Sequence, residues 1–162
     1  MRNFKIEFYL RFIFLISLMA IVSAYYIEYV LGHQPCNLCI IERVPYALSL
    51  ILLLLNYKLK KSENFFILML ILIFIFSLII SIYHFGIEQG FFQESLICNV
   101  KDGANILSKD ELLLELQKRT ISCKDVTFKV FGFSLTAINM FISLIIIILL
   151  TKIFISYEKN KY

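Results

Sequence analysis

Four long apolar segments constrain the fold of this chain more than any other feature. They run from Leu10 to Leu31, from Cys39 to Tyr57, from Asn64 to Phe85 and from Phe131 to Phe154. A helix needs about 20 mostly apolar residues to cross the hydrocarbon core of a bilayer. The sequence therefore predicts an all-α integral membrane protein, a four-transmembrane-helix bundle in one domain over residues 1–162.

Basic residues lie at the ends of these segments and predict how the chain crosses the membrane. Loops rich in Lys and Arg favour the cytoplasmic side, and such residues occur at both ends of the chain and in the turn after Tyr57. We therefore expect both termini to be cytoplasmic and two loops, residues 32–41 and 87–130, to lie outside. The long loop weakens this contrast because it also carries basic residues. Since the positive charge follows the membrane segments, the net charge of +4 does not indicate a nucleic-acid partner.

The N-terminus has two interpretations. Its basic residues, apolar run and small residues Val22-Ser23-Ala24 resemble a cleavable signal peptide. The apolar stretch continues through Tyr25, Tyr26 and Ile27, which favours a retained helix with tyrosines at the outer interface.

Four cysteines all fall in the two outer loops or at their edges. Cys36 and Cys39 form a Cys-x-x-Cys pair after Pro35, and Cys98 and Cys123 lie in the long loop. In a bacterium this side is the periplasm, where disulfides persist. The spacing favours the pairing 36–39 and 98–123, although four cysteines allow three pairings. Cys36 is expected at the start of the second helix, where the helix dipole favours a thiolate. The outer location favours redox chemistry over half of a zinc site.

Two further residues are candidates for binding a ligand near the cysteines. Arg43 follows Cys39 by one helical turn and so shares its face. It can stabilise a thiolate or polarise a ligand carbonyl, or it can simply extend to lipid headgroups. His84 ends the third segment, where an imidazole can bind a ligand or move a proton, or serve as an interfacial polar residue.

The long loop contains one further predicted element. Ser108-Lys109-Asp110-Glu111 fits a capping box, and leucines alternate with polar residues as far as Arg119. This pattern predicts a short interfacial helix in the second periplasmic loop, lying on the bilayer surface or packed on the protein.

Taken together, these residues resemble the disulfide bond formation protein B (DsbB) family, quinone reductases of the bacterial inner membrane. The resemblance rests on the block from Pro35 to Arg43, on Tyr83-His84-Phe85-Gly86-Ile87-Glu88 before Cys98, on Cys123, and on Gly132-Phe133-Ser134-Leu135. It covers the whole predicted topology, and the cysteine-to-arginine block is its specific part.

The resemblance implies a relay of electrons. Cys98 and Cys123 would form the disulfide that oxidises a DsbA-like periplasmic thiol oxidase, and the electrons would then reach Cys36 and Cys39 by thiol–disulfide exchange. Cys39 would react with a quinone, either ubiquinone or menaquinone, drawn from the pool in the bilayer. The cofactor-binding residues would be Arg43, beside a quinone carbonyl, and His84.

Three other functions compete with this interpretation. A thiol oxidase of the vitamin K epoxide reductase type would also be quinone-linked, but such proteins usually carry the Cys-x-x-Cys late in the chain. A binding protein would use the four cysteines for zinc, or His33 and His84 for haem. A structural membrane scaffold would use disulfides only to staple its loop.

Overall fold

The computed structural model describes residues 4–59, 63–93, 98, 123–124, 128–130 and 132–159. Within these residues the chain forms four long helices and one small hairpin: α1 (Phe4–Tyr29), α2 (Asn37–Leu59), α3 (Glu63–Glu88), β1 (Lys129–Val130), β2 (Phe133–Ser134) and α4 (Leu135–Lys159). All four helices are long and apolar enough to cross a membrane. The predicted all-α membrane fold is thereby confirmed, and the protein is a multi-pass membrane protein.

The four helices pack around one apolar core. The most extensive contact joins α3 to α4, while α2 packs on both α1 and α3, and α1 and α4 meet only slightly. Phe74 of α3 is fully buried at the centre, where its ring meets the ring of Tyr46 edge to face. Many large apolar side chains point outward, as expected of a surface that contacts lipid tails.

A seam of polar side chains crosses this apolar core. Tyr46 donates a hydrogen bond to Asn139, whose amide donates to Ser81 at 2.7 Å. Ser77 and Ser143 are 3.1 Å apart. Small residues let helices approach closely, and hydrogen bonds between them add to helix association in lipid. The seam therefore fixes how α2, α3 and α4 face one another.

The first helix begins earlier than predicted from apolarity alone. It starts at Phe4, six positions before Leu10, and so includes charged residues. Arg11 binds Glu7 one turn earlier at 2.6 Å. This pairing on one helix face makes the charged turn compatible with a continuous helix.

The last helix begins later than predicted, at Leu135 rather than at Phe131. The preceding residues form the β1–β2 hairpin, in which Val130 pairs with Phe133. Its turn contains Gly132 at φ 87°, a left-handed conformation that suits glycine. The Ser134 hydroxyl then accepts a hydrogen bond from the Ala137 N–H at 3.2 Å, so Ser134 is the N-cap of α4.

A tight turn follows α3 and depends on Gly86. The Gly86 carbonyl accepts hydrogen bonds from the N–H groups of Phe91 and Phe92, at 2.8 and 3.2 Å. The Phe92 ring thereby stacks on Tyr83 and fills the space where a Cβ at position 86 would lie. The chain thus folds back onto the last turns of α3. The interfacial helix predicted near residues 108–119 lies outside the described residues.

Candidate functional site

The site lies where α2 begins, α3 ends and α4 begins, and we call this part of the bundle the cysteine end. Cys36 directly precedes α2, and its sulfur accepts a hydrogen bond from the Cys39 backbone N–H at 3.2 Å. Cys36 is therefore the N-cap of the helix, as its predicted place at the helix start requires. The hydrogen bond from the Cys39 side chain lowers the pKa of Cys36 to about 5, helped by His84 and opposed by burial.

His84 connects this cysteine to a carboxylate. Its Nε2 atom lies 3.5 Å from the Cys36 sulfur, and its Nδ1 atom lies 3.1 Å from Oε1 of Glu42. An ionised carboxylate only accepts hydrogen bonds, so Nδ1 then carries the proton and Nε2 is left facing the sulfur. This nucleophile–imidazole–carboxylate order is the arrangement that activates a nucleophile.

A second carboxylate lies on the other side of the imidazole. Oε1 of Glu88 is 4.0 Å from Nε2 of His84 and accepts a hydrogen bond from the Thr136 hydroxyl at 2.6 Å. Its other oxygen, Oε2, is buried and has no hydrogen-bond partner among the described residues. The imidazole thus lies between two buried acidic side chains.

The loop cysteines join the same cluster. Cys98 and Cys123 form a disulfide, whereas Cys36 and Cys39 are free thiols. The disulfide packs with Cys36, Leu38 and Ile87 in one buried apolar cluster, against which Cys39 also packs. One oxidised pair and one reduced pair therefore lie together at the cysteine end, although the two loops that carry them are far apart in sequence.

Arg43 interacts with α1. Its guanidinium forms an ion pair with Glu28 and lies over the ring of Tyr25, 5.2 Å from the ring centroid. About one fifth of each charged side chain remains exposed. The predicted helical turn between Cys39 and Arg43 is present in α2, so Arg43 lies near the cysteine end with a partly exposed guanidinium.

The geometry bears on the metal and haem alternatives. The ligand atoms of Cys36, Cys39 and His84 all lie within 4.8 Å of one another and could hold a metal ion. A zinc site built from all four cysteines is incompatible with the disulfide, because bonded sulfurs are not thiolate ligands. A haem between the two histidines is also disfavoured, because Cys36 and Glu42 occupy both nitrogens of His84.

Sequence reasoning missed most of the polar residues around the imidazole. Glu42 is buried and paired with His84. A carboxylate within an apolar membrane helix was a usable signal, because such groups are costly and usually functional. The same signal applied to Glu28. The sequence carried no such signal for Thr136, because a single hydroxyl side chain in a helix is common.

Comparison with known proteins assigns this chain to a family. The model of the family "Disulfide bond formation protein DsbB" matches residues 7–153. A protein of Rickettsia prowazekii (strain Madrid E), described as the uncharacterized protein RP370, is 33% identical over 150 residues, which cover 90% of this chain and 86% of that protein. The family match includes all four cysteines, Arg43 and His84. The chain therefore belongs to the DsbB family and is a membrane oxidoreductase of disulfide bond formation.

Proposed function

We propose that this protein is a thiol:quinone oxidoreductase of the bacterial inner membrane. It reoxidises a DsbA-like periplasmic dithiol oxidase and passes the electrons to ubiquinone or menaquinone in the bilayer. Both termini lie in the cytoplasm, and the cysteine end faces the periplasm, as the distribution of basic residues favours. The catalytic residues are Cys36, Cys39, Cys98 and Cys123, within a single domain over residues 1–162.

The observation that carries this proposal is the packing of Cys36 against the Cys98–Cys123 disulfide in one buried cluster. The partner's two thiols reduce this disulfide and become a disulfide themselves. A loop thiolate then attacks the Cys36–Cys39 disulfide, which restores the loop disulfide and leaves Cys36 and Cys39 as two thiols. An oxidised loop pair beside a reduced Cys36 and Cys39 matches the state after this second exchange.

His84 is positioned to accept the proton of Cys36, and Glu42 supports it in this role. Two thiols that form a disulfide lose two electrons and two protons, so a nearby base must accept a proton. Nε2 of His84 is positioned to take the proton from the Cys36 sulfur, and Glu42 holds Nδ1 and stabilises the resulting positive charge. Cys39, less buried than Cys36, is the thiol of the pair that faces outward to an acceptor.

The residues near Cys39 fit a quinone. The ring needs apolar surroundings and its carbonyl oxygens need a donor, and Arg43 supplies N–H donors beside the flat ring of Tyr25. A quinone held here would supply the acceptor for the two electrons and two protons that Cys36 and Cys39 release. Arg43 would hold a carbonyl oxygen and stabilise negative charge on it. The role of His84 in holding the quinone stays a prediction, because its two nitrogens are engaged with Cys36 and Glu42.

Quinone reduction by the purified protein tests the proposal. A reduced DsbA-like protein and a soluble quinone are supplied to wild type, Cys39→Ser and Cys98→Ser, with His33→Gln as a control for a histidine outside the site. We expect turnover in wild type and in the control and none in the two cysteine variants. Turnover that persists without Cys39 or Cys98 would refute the two-pair relay, and a wild type inactive with every quinone would favour a scaffold.

A further inference from the structure

The reduced site has the composition of a metal centre. The two sulfurs of Cys36 and Cys39 and a ring nitrogen of His84 lie within 4.8 Å of one another. Thiolates and imidazole are the ligands that zinc and related borderline-soft ions prefer. Cys36 and His84 are buried, and Cys39 is half-buried, so an ion bound here would be shielded from solvent on most sides.

One of the three distances between ligand atoms already suits a tetrahedral ion. Bonds of about 2.3 Å to sulfur and about 2.0 Å to nitrogen place neighbouring ligand atoms roughly 3.5 Å apart. The Cys36 sulfur and Nε2 of His84 are already 3.5 Å apart. Glu42 holds the other imidazole nitrogen at 3.1 Å, which is the carboxylate–histidine contact that orients histidine ligands.

A separate observation also points to a cation. Oε2 of Glu88 is buried without a hydrogen-bond partner among the described residues, although the side chain is only 6% exposed. Its other oxygen, Oε1, accepts a hydrogen bond from the Thr136 hydroxyl and lies 4.0 Å from Nε2 of His84, so the carboxylate borders the same space. Burying one carboxylate oxygen without a hydrogen-bond partner is costly, and a bound cation beside it would offset that cost.

We propose that the reduced protein binds one zinc-class divalent ion through Cys36, Cys39 and His84, and that disulfide formation between the two cysteines abolishes the site. Binding replaces the protons of the two thiols with the metal ion and changes no oxidation state. Oxidation joins the two sulfurs and removes two of the three ligands, so the ion is released. A bound ion also blocks the reduced pair from donating electrons, which makes the metal an inhibitor of this state alone.

The first test uses Co²⁺ as a spectroscopic probe on the full chain. Cys98→Ser and Cys123→Ser are introduced so that Cys36 and Cys39 are the only cysteines, and the protein is compared after reduction and after oxidation. We expect one Co²⁺ per reduced protein, with thiolate-to-cobalt charge-transfer absorption that Zn²⁺ displaces, and neither in the oxidised protein. Equal binding to both forms, or no stoichiometric binding to the reduced form, would overturn the proposal.

Variants then test the ligands in the same background. Cys39→Ser and His84→Gln should lose the absorption band, while His33→Gln should keep it. Glu42→Gln should weaken binding roughly 10–100-fold, as removal of an outer partner of a histidine ligand does. A band of unchanged affinity in His84→Gln would refute the site. The comparison of reduced and oxidised protein needs no ligand variant, so a folding defect in one of them leaves the test decisive.

The proposed metal site and the proposed electron relay can each be refuted without refuting the other. The binding measurement contains neither quinone nor partner, so a protein that reduces quinone but binds no Co²⁺ contradicts only the metal site. A protein that binds Co²⁺ in the reduced state but never reduces quinone contradicts only the proposed function. If both hold, Zn²⁺ should inhibit quinone reduction when added to the reduced protein, and a chelator should restore it.

Discussion

The Nε2 atom of His84 lies 3.5 Å from the sulfur of Cys36, although the two residues are 48 positions apart in the sequence. The contact joins the end of α3 to the start of α2. It places the imidazole beside the first cysteine of the pair, whereas the family resemblance implied a position beside a bound quinone. The reactivity of Cys36 is therefore the property through which His84 is best tested.

The pH dependence of Cys36 alkylation should show an early transition. The pKa of Cys36 is lowered to about 5, so its thiolate persists from neutral pH down to about pH 5 and is lost below it. An ordinary thiol, with a pKa near 8.5, loses most of its thiolate already between about pH 9 and 7. We expect the iodoacetamide rate at Cys36, followed by tandem mass spectrometry in the presence of a chelator, to stay nearly flat from pH 8 to 6.

In His84→Gln the same transition should move to higher pH, because one of the groups that stabilise the thiolate is gone. His33→Gln is the matched control and should leave the profile unchanged. A wild-type rate that falls tenfold for each pH step between 8 and 6 would contradict the stabilised thiolate.

Glu42→Gln should slow quinone reduction without removing the cysteine chemistry. Glutamine has nearly the same size but no charge, so His84 keeps a neighbour and loses the carboxylate that stabilises its protonated form. Because His84 itself is kept, we expect kcat to fall by less than the roughly 100-fold or more that loss of the acid–base group typically costs. The measurement is kcat as a function of pH with saturating partner, and a purely structural role for Glu42 would lower activity without changing the shape of the profile.

Arg43→Lys should weaken quinone use although the charge is kept. Lysine lacks the planar fork that binds Glu28 and lies over the ring of Tyr25. We expect KM for quinone to rise on the order of 10-fold, equivalent to about 1.4 kcal/mol, while exchange with the partner is unchanged. Lys58→Arg, at the opposite end of α2, is the control. Unchanged KM in Arg43→Lys would place Arg43 outside the quinone site.

Gly86→Ala should destabilise the turn after α3. The added Cβ would overlap the Phe92 ring, which packs there between the turn and Tyr83. Overpacking of this kind typically costs about 1–3 kcal/mol. Thermal unfolding in detergent measures the cost, and Phe92→Ala in the same chain should recover most of it. Equal destabilisation with and without the Phe92 ring would mean that the clash is not the cause.

The membrane architecture was predictable because it depends on segment length and apolarity, which are local properties. The ends of the helices were less predictable from the sequence, because they depend on contacts between specific side chains. The ion pair of Glu7 with Arg11 extends α1 into a charged turn that an apolarity pattern excludes. Gly132 and the cap at Ser134 delay α4 until Leu135.

The cysteines, His84 and Arg43 could be selected from residue type and position, but their partners could not. Which nitrogen of His84 faces Cys36 and which faces Glu42 is set by how α2, α3 and α4 pack, and one sequence carries no record of that packing. The same holds for Arg43, whose nearest anion, Glu28, lies on a different helix. Residue type and position identified candidate side chains, and tertiary contacts determine which of them pair.

The turn at Gly86 limits how far the Cys98–Cys123 disulfide can move from the rest of the site. Phe92 is fixed on Tyr83, and Cys98 follows it by six positions, so even a fully extended connection reaches only about 20 Å. This short covalent connection keeps Cys98 close to α3, the helix that carries His84. If the two cysteine pairs exchange as proposed, the length of this connection keeps their effective concentration high, even when a partner protein draws the loop away from the bundle.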